Sequence, residues 1–241
     1  MHLDELSVFE TPRYKFHYQP GSYAESYIAK ISSRQEFCRD HICKVLGIDP
    51  TIRIQYYLLE SPEHIGEIYG DGEPCNGFTR LPDSIFAVYS PAIQCTGFHE
   101  DAHILSYTAL GRPRSAFVRE GLAMYFDKTW NGFPNISWTR FHIDYGTVRN
   151  LSDLHRDACF FEYPESVTYP IAGAYTEFLI TRFGMESYKA FYSAWCKTDT
   201  DPYLELFKED REEAAARFLN YIRSLTVHTG HLAEQTEAEY L

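Results

Sequence analysis

No run of apolar residues in this 241-residue chain approaches the 18 or so that a membrane helix needs, so no helical membrane span is expected. The first residues, Met1-His2-Leu3-Asp4-Glu5-Leu6, are acidic and lack an apolar h-region, so no signal peptide is expected either. Basic residues are scarce: 22 Lys and Arg against 34 Asp and Glu leave a net charge of −12. The longest basic cluster is Arg112-Pro113-Arg114. Nucleic-acid binding rests on Lys and Arg neutralising phosphates, and this balance argues against it. The surplus of acid serves solubility rather than selecting an acidic ligand. Cysteines number six, at 38, 43, 75, 95, 159 and 196, with no C-x-x-C pair and no metal-knuckle spacing. Reduced, buried thiols and a cytoplasmic protein are the expectation. There is no internal repeat and no low-complexity tract.

Aromatic residues are plentiful, with 19 Tyr and 17 Phe, and the length suits one large domain or two closely packed lobes. The organising stretch is Phe98-His99-Glu100-Asp101-Ala102-His103. His99 and His103 are four residues apart, so on a helix they share a face, one turn above the other. Two imidazoles so placed can both reach one Zn²⁺ at about 2.0–2.1 Å. Glu100 lies beside them, where a carboxylate can take a proton from a metal-activated water.

A second segment follows. Phe117, Val118, Leu122, Ala123 and Phe126 recur at helical spacing around Glu120, with Ser115 as the expected N-cap. The intervening Gly111-Arg112-Pro113-Arg114 is short enough to fold this helix back on the first. Glu120 is then the third ligand, and a fourth position stays open for water, as a catalytic zinc site requires.

His-Glu-x-x-His on one helix and Glu120-Gly121-Leu122-Ala123 on the next resemble the gluzincin (peptidase MA-like) zinc metallopeptidases, in particular small bacterial-type members. The resemblance implies His99, His103 and Glu120 as zinc ligands and Glu100 as general base. It extends to Tyr169-Pro170-Ile171-Ala172-Gly173-Ala174-Tyr175, Phe178-Leu179 and Phe183-Gly184, similar to the helix after the zinc site in that family. There a tyrosine just upstream of a small-residue pair supports the oxyanion, which implies that role for Tyr169, with Tyr175 as fallback. Some gluzincins carry Gly-x-Met-Glu-Asn ahead of the zinc helix to hold a substrate's free amine; Asn76-Gly77-Phe78-Thr79 does not reproduce it.

Elsewhere Tyr14–Tyr18 reads as a strand. A helix then runs from the capping box Ser22-x-x-Glu25 to Gly47. Ile52 to Leu59 alternates as a half-buried strand, and Ser61-Pro62-Glu63 starts a short helix ending near Gly70. Residues 71–77 form a loop, and Ser84 to Tyr89 reads as a strand leading into the zinc helix. In gluzincins the strand in this place lies at the sheet edge and pairs with an extended substrate; an ordinary core strand is the other reading. Residues 130–165 give no regular signal. Helices are expected from Ile171 to Gly184, from Glu186 to Trp195 and from Asp210 to Leu225, before a polar, frayed tail from His228.

The fold expected is α+β and zincin-like. An N-terminal mixed-sheet lobe with helices, 1–110, and a mainly helical C-terminal lobe, 111–241, form one peptidase domain with the active-site helix between them. His142 and His155 read as packing or surface residues, or as zinc ligands or transition-state donors. Asp127, seven residues past Glu120, could orient a zinc-bound imidazole or lie solvated on the surface. The function expected is a zinc metallopeptidase, a hydrolase acting on a peptide or protein through a metal-activated water. A zinc-binding domain of the same fold serving as a non-catalytic binding or regulatory module is the alternative.

Overall fold

Tyr14, Phe16 and Tyr18 are buried and alternate with half-buried Lys15 and His17, the period of two that a strand imposes. The computed structural model in which they are seen describes residues 6–197, 201–230 and 232. The readings made for Met1–Glu5, for His231 and for the tail beyond Leu232 lie outside these residues. The chain is α+β and divides into two compact units, Met1–Ala109 and Leu110–Leu241.

The first unit carries, in chain order, β1 (Ser7–Glu10), β2 (Tyr14–Tyr18), α1 (Tyr23–Leu46), β3 (Ile54–Leu59), α2 (Pro62–Tyr69), β4 (Gly77–Arg80), β5 (Ser84–Val88) and α3 (His99–Leu110). The sheet is mixed, in the order β1-β2-β3-β5-β4, with β2, β3 and β5 parallel and the two outer strands antiparallel. One face is aromatic and buried, and from it the Tyr14 hydroxyl reaches Asp101 Oδ2 on α3 at 2.6 Å and the Gln35 carbonyl on α1 at 3.1 Å. On the other face His17, Tyr57, Phe86 and Phe78 stack across four strands, with ring centroids 4.4, 4.6 and 4.8 Å apart. That ladder fixes the register of β4 against β5.

Helix α1 starts and stops as its sequence dictates. Ser22 accepts from the Glu25 amide, Glu25 accepts from the Gly21 amide, and Gly47 closes the helix in the left-handed conformation at φ 62°. β5 is interior, between β3 and β4, which is the core-strand reading and not the edge-strand one. The outermost strand on that side is β4, which begins at the last loop residue, Gly77, and runs through residues 78–80, for which no element was expected.

The second unit contains α4 (Ala116–Asp127), a hairpin of β6 (Thr129–Trp130) and β7 (Phe133–Pro134), α5 (Asn135–Asp144), a 3-10 turn at Leu151–His155, and α6 (Asp157–Phe160). It continues with α7 (Glu165–Phe183), α8 (Met185–Lys197), α9 (Tyr203–Phe207) and α10 (Arg211–Ser224). Helix α7 is buried along most of its length and packs against α4 and α5. Two glycines permit this approach. A Cβ on Gly121 would lie 2.5 Å from Thr176 Oγ1, and one on Gly173 would lie 2.7 Å from Met124 Cβ. The Ala172-Gly173 pair thus lies close against α4, the helix of Glu120, and against Asn135 at the start of α5.

Three readings of this unit are corrected. Residues 130–165 hold a hairpin and three short helical segments rather than irregular chain. Helix α7 starts at Glu165, not Ile171, so Tyr169 lies inside it and Pro170 in its interior. Proline there removes the amide that would bond the Ser166 carbonyl. His142 on α5 supplies the missing donor, with Nε2 3.1 Å from Ser166 O. Finally, Leu232 is buried with Trp138 and Phe141, so the tail is packed at that point. All six cysteines are free; only Cys38 is buried, and the other five are part-exposed rather than enclosed. Among the described residues no helix is long and apolar enough to cross a membrane.

Candidate metal centre

His99 opens α3 and His103 follows one turn later, their rings edge to face with centroids 4.9 Å apart. Asp101, between them on the opposite face, is fully buried beside Tyr14; burial pushes its carboxyl up to about 8, against the pull of hydrogen bonds from Tyr14 and Gln35. Gln35 Nε2 also donates to Gly97 O at 3.0 Å, just before the helix. The first turn of α3 is thus tied to both β2 and α1, which fixes the direction in which His99 and His103 project.

His103 Nδ1 lies 3.1 Å from the Tyr107 hydroxyl, one turn on in the same helix. With Nδ1 engaged, Nε2 is the nitrogen that could serve as a metal ligand, and the phenol orients the ring. The sequence offers Asp127 either for such a role or as a solvated surface acid. That residue closes α4 and is half-buried, two turns past Glu120. Tyr107 carries a signal in the sequence, its four-residue spacing to His103.

Glu100 is half-buried, and its Oε2 accepts a 2.8 Å hydrogen bond from Thr79 Oγ1 on β4. The same hydroxyl lies 3.2 Å from the Glu100 carbonyl. One Glu100 oxygen is thereby held, and the outermost strand stands next to the carboxylate. Nothing in the sequence joins two residues 21 positions apart, so Thr79 was not foreseen.

Glu120 sits mid-helix in α4. Ser115 occupies the N-cap position with extended backbone, yet its side chain makes no capping bond. Asp157 does so instead, with Oδ1 accepting from the Ala116 amide at 2.6 Å. One ligand atom from each of His99, His103 and Glu120 lies within 4.8 Å of the others. Tetrahedral zinc at ordinary bond lengths places ligand atoms roughly 3.4 Å apart. Two imidazoles and a carboxylate suit Zn²⁺. No other such group of three is found among the described residues.

His142, His155 and Tyr175 are engaged in packing and hydrogen bonds of the second unit. His142 is buried, stacks on Trp138 at 5.8 Å, and its pKa is lowered by burial. His155 is buried among Phe117, Tyr175, Trp195 and Tyr203, with Nε2 2.8 Å from the Tyr203 hydroxyl, and burial pushes its pKa down to about 3. Tyr175 is equally buried and accepts from Tyr203 at 3.2 Å. Tyr169 is half-buried, its ring against Trp130 and Phe160.

Neither a protein-family model nor a curated protein matches this chain.

Proposed function

We propose that this chain is a zinc-dependent peptidase of the gluzincin kind, zincin-like in fold, hydrolysing amide bonds in a peptide or protein. The observation that carries the reading is the convergence of His99, His103 and Glu120 with a restrained carboxylate, Glu100, beside the first histidine. His99, His103 and Glu120 hold the metal. When bound, Zn²⁺ lowers the pKa of water and polarises a carbonyl. Glu100 accepts a proton from the attacking water and passes it to the leaving amine. Its free oxygen is the one not held by Thr79. Tyr169, on the helix packed against α4, donates to the oxyanion. An extended substrate pairs along β4, the outermost strand, whose backbone meets β5 on one side only within this sheet. The six free thiols accord with a reducing cytoplasm.

The test is cleavage of a peptide library by wild-type protein and by Glu100→Gln, each with and without chelator. Chelator-sensitive cleavage is expected, with a loss of about 10²–10⁴ in the variant while zinc stays bound. A zinc-loaded wild-type protein that cleaves nothing in the library would turn the reading toward a non-catalytic module.

A further inference from the structure

A cavity of about 230 Å³ opens in the second unit, bordered by the end of α5, the chain leading into the 3-10 turn, α7 and α10. Its bed is apolar, formed by Ile143, Ile171 and Leu219, and its rim carries Arg149, Arg223 and Asn150. The arginines of this unit mostly hold carboxylates: Arg140 with Asp144, Arg156 with Asp153, Arg182 with Glu209 and Arg211 with Asp201. Arg149 and Arg223 are exposed and hold none among the described residues. Both border the same cavity, in a chain whose net charge is −12.

The nearby acceptors are already engaged. Asp144 lies 2.7 Å from Arg140 Nε, and Arg140 Nη1 also donates to the Ile222, Arg223 and Leu225 carbonyls. The negative end of α10, which would otherwise attract Arg223, is thereby neutralised by another residue. Asp153 lies 2.8 Å from Arg156. Asn150 Oδ1 accepts from the Ser152 amide and hydroxyl, which turns its amide nitrogen, a donor, outward. His142, which also lines the cavity, bonds Ser166 O and adds no charge. The rim therefore offers donors and positive charge above an apolar bed. That combination suits an anionic group attached to a hydrocarbon body.

We propose that this cavity binds a small organic carboxylate with an apolar body, its carboxylate on Arg149 and Arg223 and its body on Ile143, Ile171 and Leu219. The volume suffices, since a dry cavity of about 150 Å³ accommodates benzene. The site stands apart from the zinc reading and uses none of its residues.

The experiment is calorimetric or NMR titration of the full chain with 4-methylpentanoate, with 4-methylpentanamide, and with inorganic phosphate. Saturable binding of the carboxylate is expected in about the millimolar range, and binding at least about tenfold weaker for the amide and for phosphate. Arg149→Gln with Arg223→Gln should weaken carboxylate binding by about tenfold or more, with zinc content and thermal midpoint unchanged as the check on folding. Equal binding of acid and amide, or full affinity in the double variant, would overturn the clamp. Phosphate binding as tightly as the carboxylate would overturn the role of the apolar bed. No saturable binding of 4-methylpentanoate would overturn the site.

Discussion

Thr79 donates from the outermost strand to Glu100 at 2.8 Å, and so one hydroxyl fixes a rotamer of the proposed general base. A carboxylate with one oxygen tethered presents the other in a single direction, which is the geometric requirement of proton transfer. Thr79→Val keeps the shape and removes the bond. Turnover should fall by about 10–10²-fold with zinc content unchanged, and Thr79→Ser should restore most of it. Equal turnover in the Val and Ser variants would detach Thr79 from the chemistry.

Pro170 and His142 form a coupled pair. The proline withholds an amide from Ser166 O, and the imidazole supplies the substitute donor. His142→Ala leaves that buried carbonyl unsatisfied and should destabilise by about 1–3 kcal/mol. In a Pro170→Ala background the new amide can serve Ser166, so the same histidine substitution should cost about 1 kcal/mol less. Strictly additive losses in denaturant unfolding would mean that the histidine acts through packing on Trp138 alone.

This pair also shows why the sequence hid part of the fold. Helix α1 was legible because its caps and apolar stripe are all local, from Ser22 to Gly47. Strand β2 was legible from its alternation, and the grouping of His99, His103 and Glu120 from residue type and spacing. The expected helix begins only after Pro170, at Ile171, because the donor that permits a proline inside α7 comes from His142, 28 residues away in the chain. Gly77–Arg80 carries no pattern of its own; its strand identity comes from pairing with β5 and from Phe78 stacking on Phe86. Ser115 holds the N-cap position expected of it, but the group that accepts from the first amide of α4 was hidden for the same reason, since Asp157 reaches it from 41 positions on.

His155 should make stability fall in acid. Burial, with the nearby Arg211 charge adding to it, pushes the folded pKa down to about 3, against about 6.5 in an unfolded chain. Below pH 6.5 the unfolded chain takes up a proton that the folded chain refuses, so this contribution is intact above 6.5 and lost as pH falls toward 3. The loss amounts to about 2 kcal/mol by pH 5. His155→Gln lacks the titration. The stability gap between wild type and variant should therefore narrow by about 2 kcal/mol from pH 7 to pH 5 in urea unfolding. A gap independent of pH would show that the imidazole reaches solvent.

Metal content of the purified chain, measured by elemental analysis for wild type, His103→Ala and Glu120→Ala, tests the central claim most directly. The account predicts about one zinc per wild-type chain and loss of stoichiometric zinc in both variants, because three protein ligands are the minimum of a catalytic zinc site. Zinc retained in full by His103→Ala, or a wild-type chain that takes up no zinc when it is supplied, would contradict it.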